Sequence, residues 1–166
     1  MSECRYPRQS VGENDGKRGL KGYDGYKRLQ GSKRHLLVDT LGMVLDVELT
    51  GANVSDVHGG GRVLQRAQTY YPRLTTVWAD LGYKGLFPAW AWHRLGIAVE
   101  LTSKPGFGEK PLRLRPKRWI VERTFAWLGR SRRLSKDYEY LVETSRAMIY
   151  LAMTRLMLRR LVLGIP

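Results

Sequence analysis

One cysteine, Cys4, stands in a chain of 166 residues. A single thiol forms no intrachain disulfide and builds no cysteine-based zinc cluster, so covalent staples are excluded and an intracellular compartment fits. Long apolar runs are also missing. None approaches the ~18 residues of a membrane span, and the opening MSECRYPRQS lacks the apolar core of a signal peptide. Acids are scarce: 15 Asp and Glu face 29 Lys and Arg, for a formal net charge of +14 and a pI near 10.3. Such an excess speaks about partners and not about fold. Phosphate backbones are the expected partner, because bound lysines and arginines release condensed counterions. A ribosome-associated or membrane-surface protein is the blander alternative. The expectation is a cytoplasmic, nucleoid-associated protein with no membrane partner.

What is present suffices for one folded domain, since 43% of the residues are hydrophobic. Residues 1–33 are glycine-rich, charged and almost free of aliphatic side chains, which predicts a poorly ordered basic arm. The core is expected from 34 to 166. His35 to Asp39 and Met43 to Leu49 read as a hairpin around Thr40-Leu41-Gly42. A turn-rich stretch with three consecutive glycines then leads to a helix over Arg62 to Tyr71, where Val63, Leu64, Ala67 and Tyr70 follow helical spacing. Leu74 to Ala79 reads as a strand, Phe87 to Leu95 as a helix and Ile97 to Leu101 as another strand. Ser103 to Lys117 is a basic loop holding three prolines. Trp119 to Leu128 is a helix with Val121, Phe125 and Leu128 as its apolar stripe. Thr144 to Leu163, with Thr144 or Ser145 as its cap, is apolar around most of its circumference, so burial on several sides or pairing with another chain is expected.

Two acids could carry chemistry. Asp80 sits where a strand gives way to a glycine-containing turn, a usual site geometry in α/β sheets. Glu122 lies among arginines and lysines in RLRPKRWIVERTFAWLGRSRR. Two such carboxylates can share a divalent cation, which near a phosphodiester polarises a phosphoryl oxygen and activates a nucleophile. Equally, Asp80 could cap its turn and Glu122 could pair with Arg118 at i−4; spacing leaves both open. Arg115, Lys117, Arg118, Arg123, Arg130, Arg132 and Arg133 are candidate phosphate contacts, denser than a solvated face requires. His35, His58 and His93 are scattered, without the i, i+4 partner of a helical zinc site. Trp90, Trp92, Trp119 and Trp127 are expected in the core.

Several ordered motifs, GYDGYKRLQGSKRHLLVDTLGMVL, ANVSDVHGG, VWADLGYKG and RPKRWIVERTFAWLGRSRRLSKDYEYL, resemble the C-terminal catalytic region of bacterial insertion-sequence transposases of the DDE superfamily, in the insertion sequence five and four groups. The likeness runs from about Gly22 to Arg160. It implies an α/β fold, an RNase H-like mixed sheet flanked by helices, in which three acids bind Mg2+ or Mn2+ for cleavage and strand transfer of double-stranded DNA at element ends and target. Homo-oligomers are a further implication. The second acid maps to Asp80 and the third to Glu122, with Arg118 at the arginine of the tyrosine-arginine-glutamate signature; the tyrosine would fall at Arg115. Where the family's first aspartate opens Asp-Ser-Gln-Ser-Val, this chain has Pro7, Arg8, Gln9, Ser10 and Val11. The resemblance therefore implies a truncated copy, incomplete at its first strand, with impaired or no transposition. Its alternative is a non-catalytic DNA-binding remnant that inhibits a full-length transposase. Asp39 and Asp56 are poor substitutes for the missing acid, since either must reach a place meant for the middle of a strand.

Overall fold

The computed structural model describes residues 21–25, 28–102, 118–136 and 138–164. Along the chain come β1 (Gly22–Asp24), β2 (Leu29–Val38), β3 (Val44–Gly51), α1 (Asp56–Tyr70), β4 (Thr76–Asp80), α2 (Phe87–Leu95), β5 (Ala98–Thr102), α3 (Arg118–Gly129) and α4 (Val142–Leu163), with 3-10 turns at Leu81–Tyr83 and Arg132–Leu134. Antiparallel β1-β2-β3 form one sheet and parallel β4-β5 another, and no described strand links the two. The chain is thus mixed α/β.

Successive side chains of a strand point to opposite faces, and β2 uses this to separate two cores. Leu37 joins Val63, Leu64, Val77, Phe87 and Ile97, the contacts of α1, α2, β4 and β5. Its neighbour Leu36 faces the other way, into Val47, Leu49, Leu128, Ile149 and Met153 beneath α3 and α4. Both leucines are almost fully buried, and each such burial stabilises the fold by about 2 kcal/mol.

The β2–β3 turn also fixes a helix. Asp39 Oδ1 accepts the backbone N–H groups of Leu41 and Met43, both at 2.8 Å, and Gly42 takes φ +84°. That left-handed conformation favours glycine. Space demands glycine too, since an added Cβ would lie 2.9 Å from Thr124 Oγ1 and 3.0 Å from the Trp127 ring. Thr124 Oγ1 donates to Gly42 O at 2.8 Å and Arg123 Nη2 to Leu41 O at 2.8 Å. Two adjacent residues of α3 therefore latch that helix onto the hairpin.

Several sequence expectations need correction. Residues 22–24 and 29–33, assigned to the arm, form β1 and the start of β2, while 1–20 lie outside the described residues. Gly22 pairs with Gly31 and packs so closely on Asn53 that a Cβ would overlap its side chain. Low aliphatic content hid a strand built on close backbone approach. The three glycines, read as turn, are inside α1, which starts at Asp56 behind the Ser55 cap. Glycine weakens a helix by about 1 kcal/mol relative to alanine. Here Gly59 is required, because a Cβ would run into the ring of buried His35.

At the C-terminal end, α4 starts at Val142 after Leu141, with no side-chain cap from Thr144 or Ser145. Among the described residues it buries only Ser145, Ile149 and Met153, one narrow stripe, and leaves Leu151, Leu158, Leu161 and Val162 exposed. Burial on several sides by the chain itself is not what the described residues provide. Among these residues no helix is long and apolar enough to cross a membrane.

Candidate catalytic site

Asp80 ends β4, and the parallel ladder carries its backbone opposite Thr102 of β5. Thr102 Oγ1 donates to Ala79 O at 3.1 Å, closing the ladder at that end. Asp80 Oδ1 accepts the Gly82 N–H at 3.0 Å and so caps the 3-10 turn that follows. The capping role that the sequence left open is real. It also fixes the carboxylate at the C-terminal end of a parallel pair, where open α/β sheets place their ligands.

Asp56, a poor candidate on sequence grounds, stands beside it. A Cβ placed on Gly82 would sit 3.0 Å from Asp80 Oδ1 and 3.5 Å from Asp56 Oδ2. Those two oxygens are therefore no further apart than the sum of those distances, and a side chain at position 82 would crowd Asp80. Asp56 opens α1, where its charge complements the helix dipole. Its Oδ1 lies 3.3 Å from Nζ of Lys33, a lysine with an 11% exposed side chain that also donates to Val54 O at 2.9 Å. Sequence distance concealed this meeting, since Asp56 and Asp80 come from different elements. The available signal was Ser55-Asp56 itself, a cap and first-turn acid heading a helix. Asp39, the other acid considered, holds the hairpin turn through Oδ1.

Glu122 is half-buried on α3, between Val121, which is buried, and Arg123, which helps latch the helix. Ile120 and Val121 share a cavity of about 260 Å³ with Val77 and Trp78 of β4 and with Val38 and Asp39 of β2. The first turn of α3 therefore lies against both strands. Glu122 is the next residue after Val121, and Asp80 lies three residues beyond Val77.

His35 packs against Gly59 of α1, almost fully buried, with its Nε2 2.8 Å from Thr50 Oγ1. Burial pushes its pKa down to about 4, against the opposing pull of the Asp56 charge. It is a neutral structural residue at pH 7. Oxygen donors such as Asp56, Asp80 and Glu122 suit a hard divalent cation. Among the described residues, however, no group of three or more His, Cys, Asp or Glu side chains is arranged to hold a metal ion. The two-carboxylate arrangement fits part of such a site and does not complete it.

The candidate phosphate contacts divide. Arg115 and Lys117 lie outside the described residues, as does the side chain of Arg118, which opens α3. Arg123 lies over the Trp119 and Trp127 rings at 4.1 and 4.6 Å. Burial, and after it the nearby Arg160 charge, lowers its pKa from the ordinary arginine value. Arg130 and Arg132 are exposed, and Arg133 Nε holds Glu139 Oε1 at 2.6 Å. Of the tryptophans expected in the core, Trp92 and Trp119 are exposed, while Trp90 and Trp127 are half-buried.

A family model described as the transposase DDE domain matches residues 5–157. The chain belongs to the DDE transposase domain family. It is 36% identical over 123 residues to a protein of Burkholderia cepacia described as a transposase for insertion sequence element IS402, covering 66% of this chain and 54% of that one. The chain thus spans about half the length of this curated relative. No solved structure matches it. This family is the one that the sequence motifs resemble.

Proposed function

We propose that this chain carries the catalytic region of an insertion-sequence transposase, acting on double-stranded DNA by metal-dependent cleavage and strand transfer. The observation that carries the reading is the placement of Asp80 at the end of a parallel strand against which the Glu122-bearing helix packs. In this reading Asp80 and Glu122 hold Mg2+ or Mn2+. The cation would supply positive charge to a phosphoryl oxygen and lower the pKa of a bound water or hydroxyl. The chain's own groups do the rest: the Gly82 N–H orients Asp80, the hairpin latch fixes Glu122, and surface arginines such as Arg130 and Arg132 hold flanking phosphates.

An RNase H-like arrangement, incomplete at its first strand, completes the proposal, the place of that strand lying between β2 and β4. Support comes from the cavity between those strands, lined by Val38 on one side and Val77 and Trp78 on the other. Pro7 stands where the resemblance places the first acid, which favours reduced activity. Losing one ligand of a metal centre removes positioning and charge together, a cost of orders of magnitude. The second reading, a DNA-binding remnant that inhibits a full-length transposase, rests on that same substitution and on the net charge of +14.

A plasmid-nicking assay with Mg2+, run on the parent beside Asp80→Ala and Glu122→Ala, separates the two. Loss of nicking in both variants supports the catalytic reading. Equal nicking in all three discards it, and salt-sensitive DNA retention with no metal-dependent nicking leaves the remnant.

A further inference from the structure

Beyond the carboxylates, the end of α3 and the second half of α4 enclose a cavity of about 430 Å³. Its floor includes Met153 and Leu156, and its rim carries Arg130, Arg155, Arg159 and Arg160 beside Trp127. Among the described residues no acid lines it. Arg160 lies over the Trp127 ring at 4.5 Å, and Arg123 lies over the same ring at 4.6 Å. Cations crowded around one apolar cavity repel each other unless an anion joins them. Guanidinium planes set against an indole are also held in the fork geometry that suits phosphate.

We infer that this cavity binds unpaired nucleotides of a DNA strand, with the phosphates on the arginine rim and a base against the apolar floor. The inference deepens the transposase reading and rests on it. Apolar surface beside a cationic track is how proteins hold single strands, the bases packing and the backbone supplying salt-sensitive affinity. A second copy of the chain is a poor occupant, since its α4 would bring the same arginines. An acidic amphipathic helix or an anionic lipid would meet the charge. DNA is favoured by position, because Trp127 lies five residues beyond Glu122 on one helix, about 7.5 Å along its axis. Five residues also turn the helix by about 140°, so a strand with its reacting phosphate at Glu122 would reach this opening by following the surface of α3.

Fluorescence anisotropy of a labelled 12-nucleotide oligothymidylate, titrated with salt and without metal, tests the inference. Arg155→Ala/Arg159→Ala is compared with Arg73→Ala/Arg94→Ala, which removes equal charge from the α1–β4 turn and α2. All four arginines are exposed, so neither pair should unfold the chain. The expected result is about tenfold weaker binding in the pocket pair alone, with the slope of log K against log salt reduced by about 0.7 for each phosphate no longer neutralised. An abasic strand of the same length and charge should bind the parent about tenfold less tightly than oligothymidylate. Pocket and control pairs that weaken alike, or an abasic strand that binds as well, overturn the inference. So does a pocket pair that binds DNA normally but no longer binds anionic phospholipid vesicles or an acidic helical peptide. Failure of the parent to bind any DNA, duplex or single-stranded, sinks the transposase reading as well, whereas indifference of the pocket pair in a DNA-binding parent sinks only the pocket.

Discussion

Two pairs of carboxylates differ in their surroundings, one inside β3 and the other where α1 begins and β4 ends. On β3, Asp46 and Glu48 are both buried. Arg66 reaches them from α1, with Nε 3.0 Å from Asp46 Oδ2 and Nη1 2.7 Å from Glu48 Oε2. From α4, Arg146 Nη2 lies 2.8 Å from Glu48 Oε2, and Tyr150 donates to Asp46 Oδ1 at 3.1 Å. Burial and the Asp46 charge push the Tyr150 pKa up to about 12, so the phenol stays a donor. By contrast, Asp56 and Asp80 face each other across Gly82 at half-buried positions, and Asp56 has Lys33 alone as an ion-pair partner among the described residues. The first pair clamps two helices to a sheet. In the second, Asp80 caps a 3-10 turn and Asp56 opens a helix. The arginines folded around Asp46 and Glu48 make that pair a staple.

This contrast can be tested, the largest effect first. Asp80→Asn is expected to reduce metal-dependent nicking by about a hundredfold or more while leaving the thermal melt nearly unchanged, because it keeps the Gly82 cap. A large loss of stability with it would make Asp80 a staple like Glu48. Glu48→Ala strips Arg66 and Arg146 of a buried partner and should cost about 3 kcal/mol in urea unfolding, measured at pH 7. A cost near zero would dissolve the clamp.

Acid sharpens the picture through His35. Its folded pKa of about 4 lies below the ordinary 6.5, so the native state stays neutral while the unfolded chain binds a proton. Stability from this residue is full above pH 6.5 and is lost as pH falls toward 4, by up to roughly 3 kcal/mol. His35→Gln should flatten that part of the stability profile; an unchanged slope would move the cause to the carboxylates. The smallest effect belongs to the surface. Arg133 is exposed but its partner Glu139 has a 9% exposed side chain, so Arg133→Ala should lower the melting temperature slightly while weakening DNA retention slightly.

The hairpin, α2, β5 and α3 were legible in the sequence, each within a residue or two at most ends, because apolar periodicity is local. Phe87–Leu95 was placed at both ends, between Pro88 and the left-handed Gly96. The start of β2 and the glycine-rich first turns of α1 were missed for a shared reason. Their glycines are selected by neighbours distant in sequence, Asn53 against Gly22 and His35 against Gly59, so local propensity pointed the wrong way. At the site, Asp80 and Glu122 were nominated by motif, and Asp80 stands at its expected strand end. Asp56 could not be found by spacing, because only the packing of α1 brings its first turn to the end of β4.

The sequence by itself determined the family, the charge that seeks a polyanion, and the local elements, since motif order, composition and periodicity are written along the chain. Tertiary structure alone decided which acids neutralise arginines and which cap a turn, which tryptophans leave the core, and where four arginines gather at a cavity beside Trp127. Those outcomes depend on distances between residues remote in the chain, and burial sets both their charge and their cost.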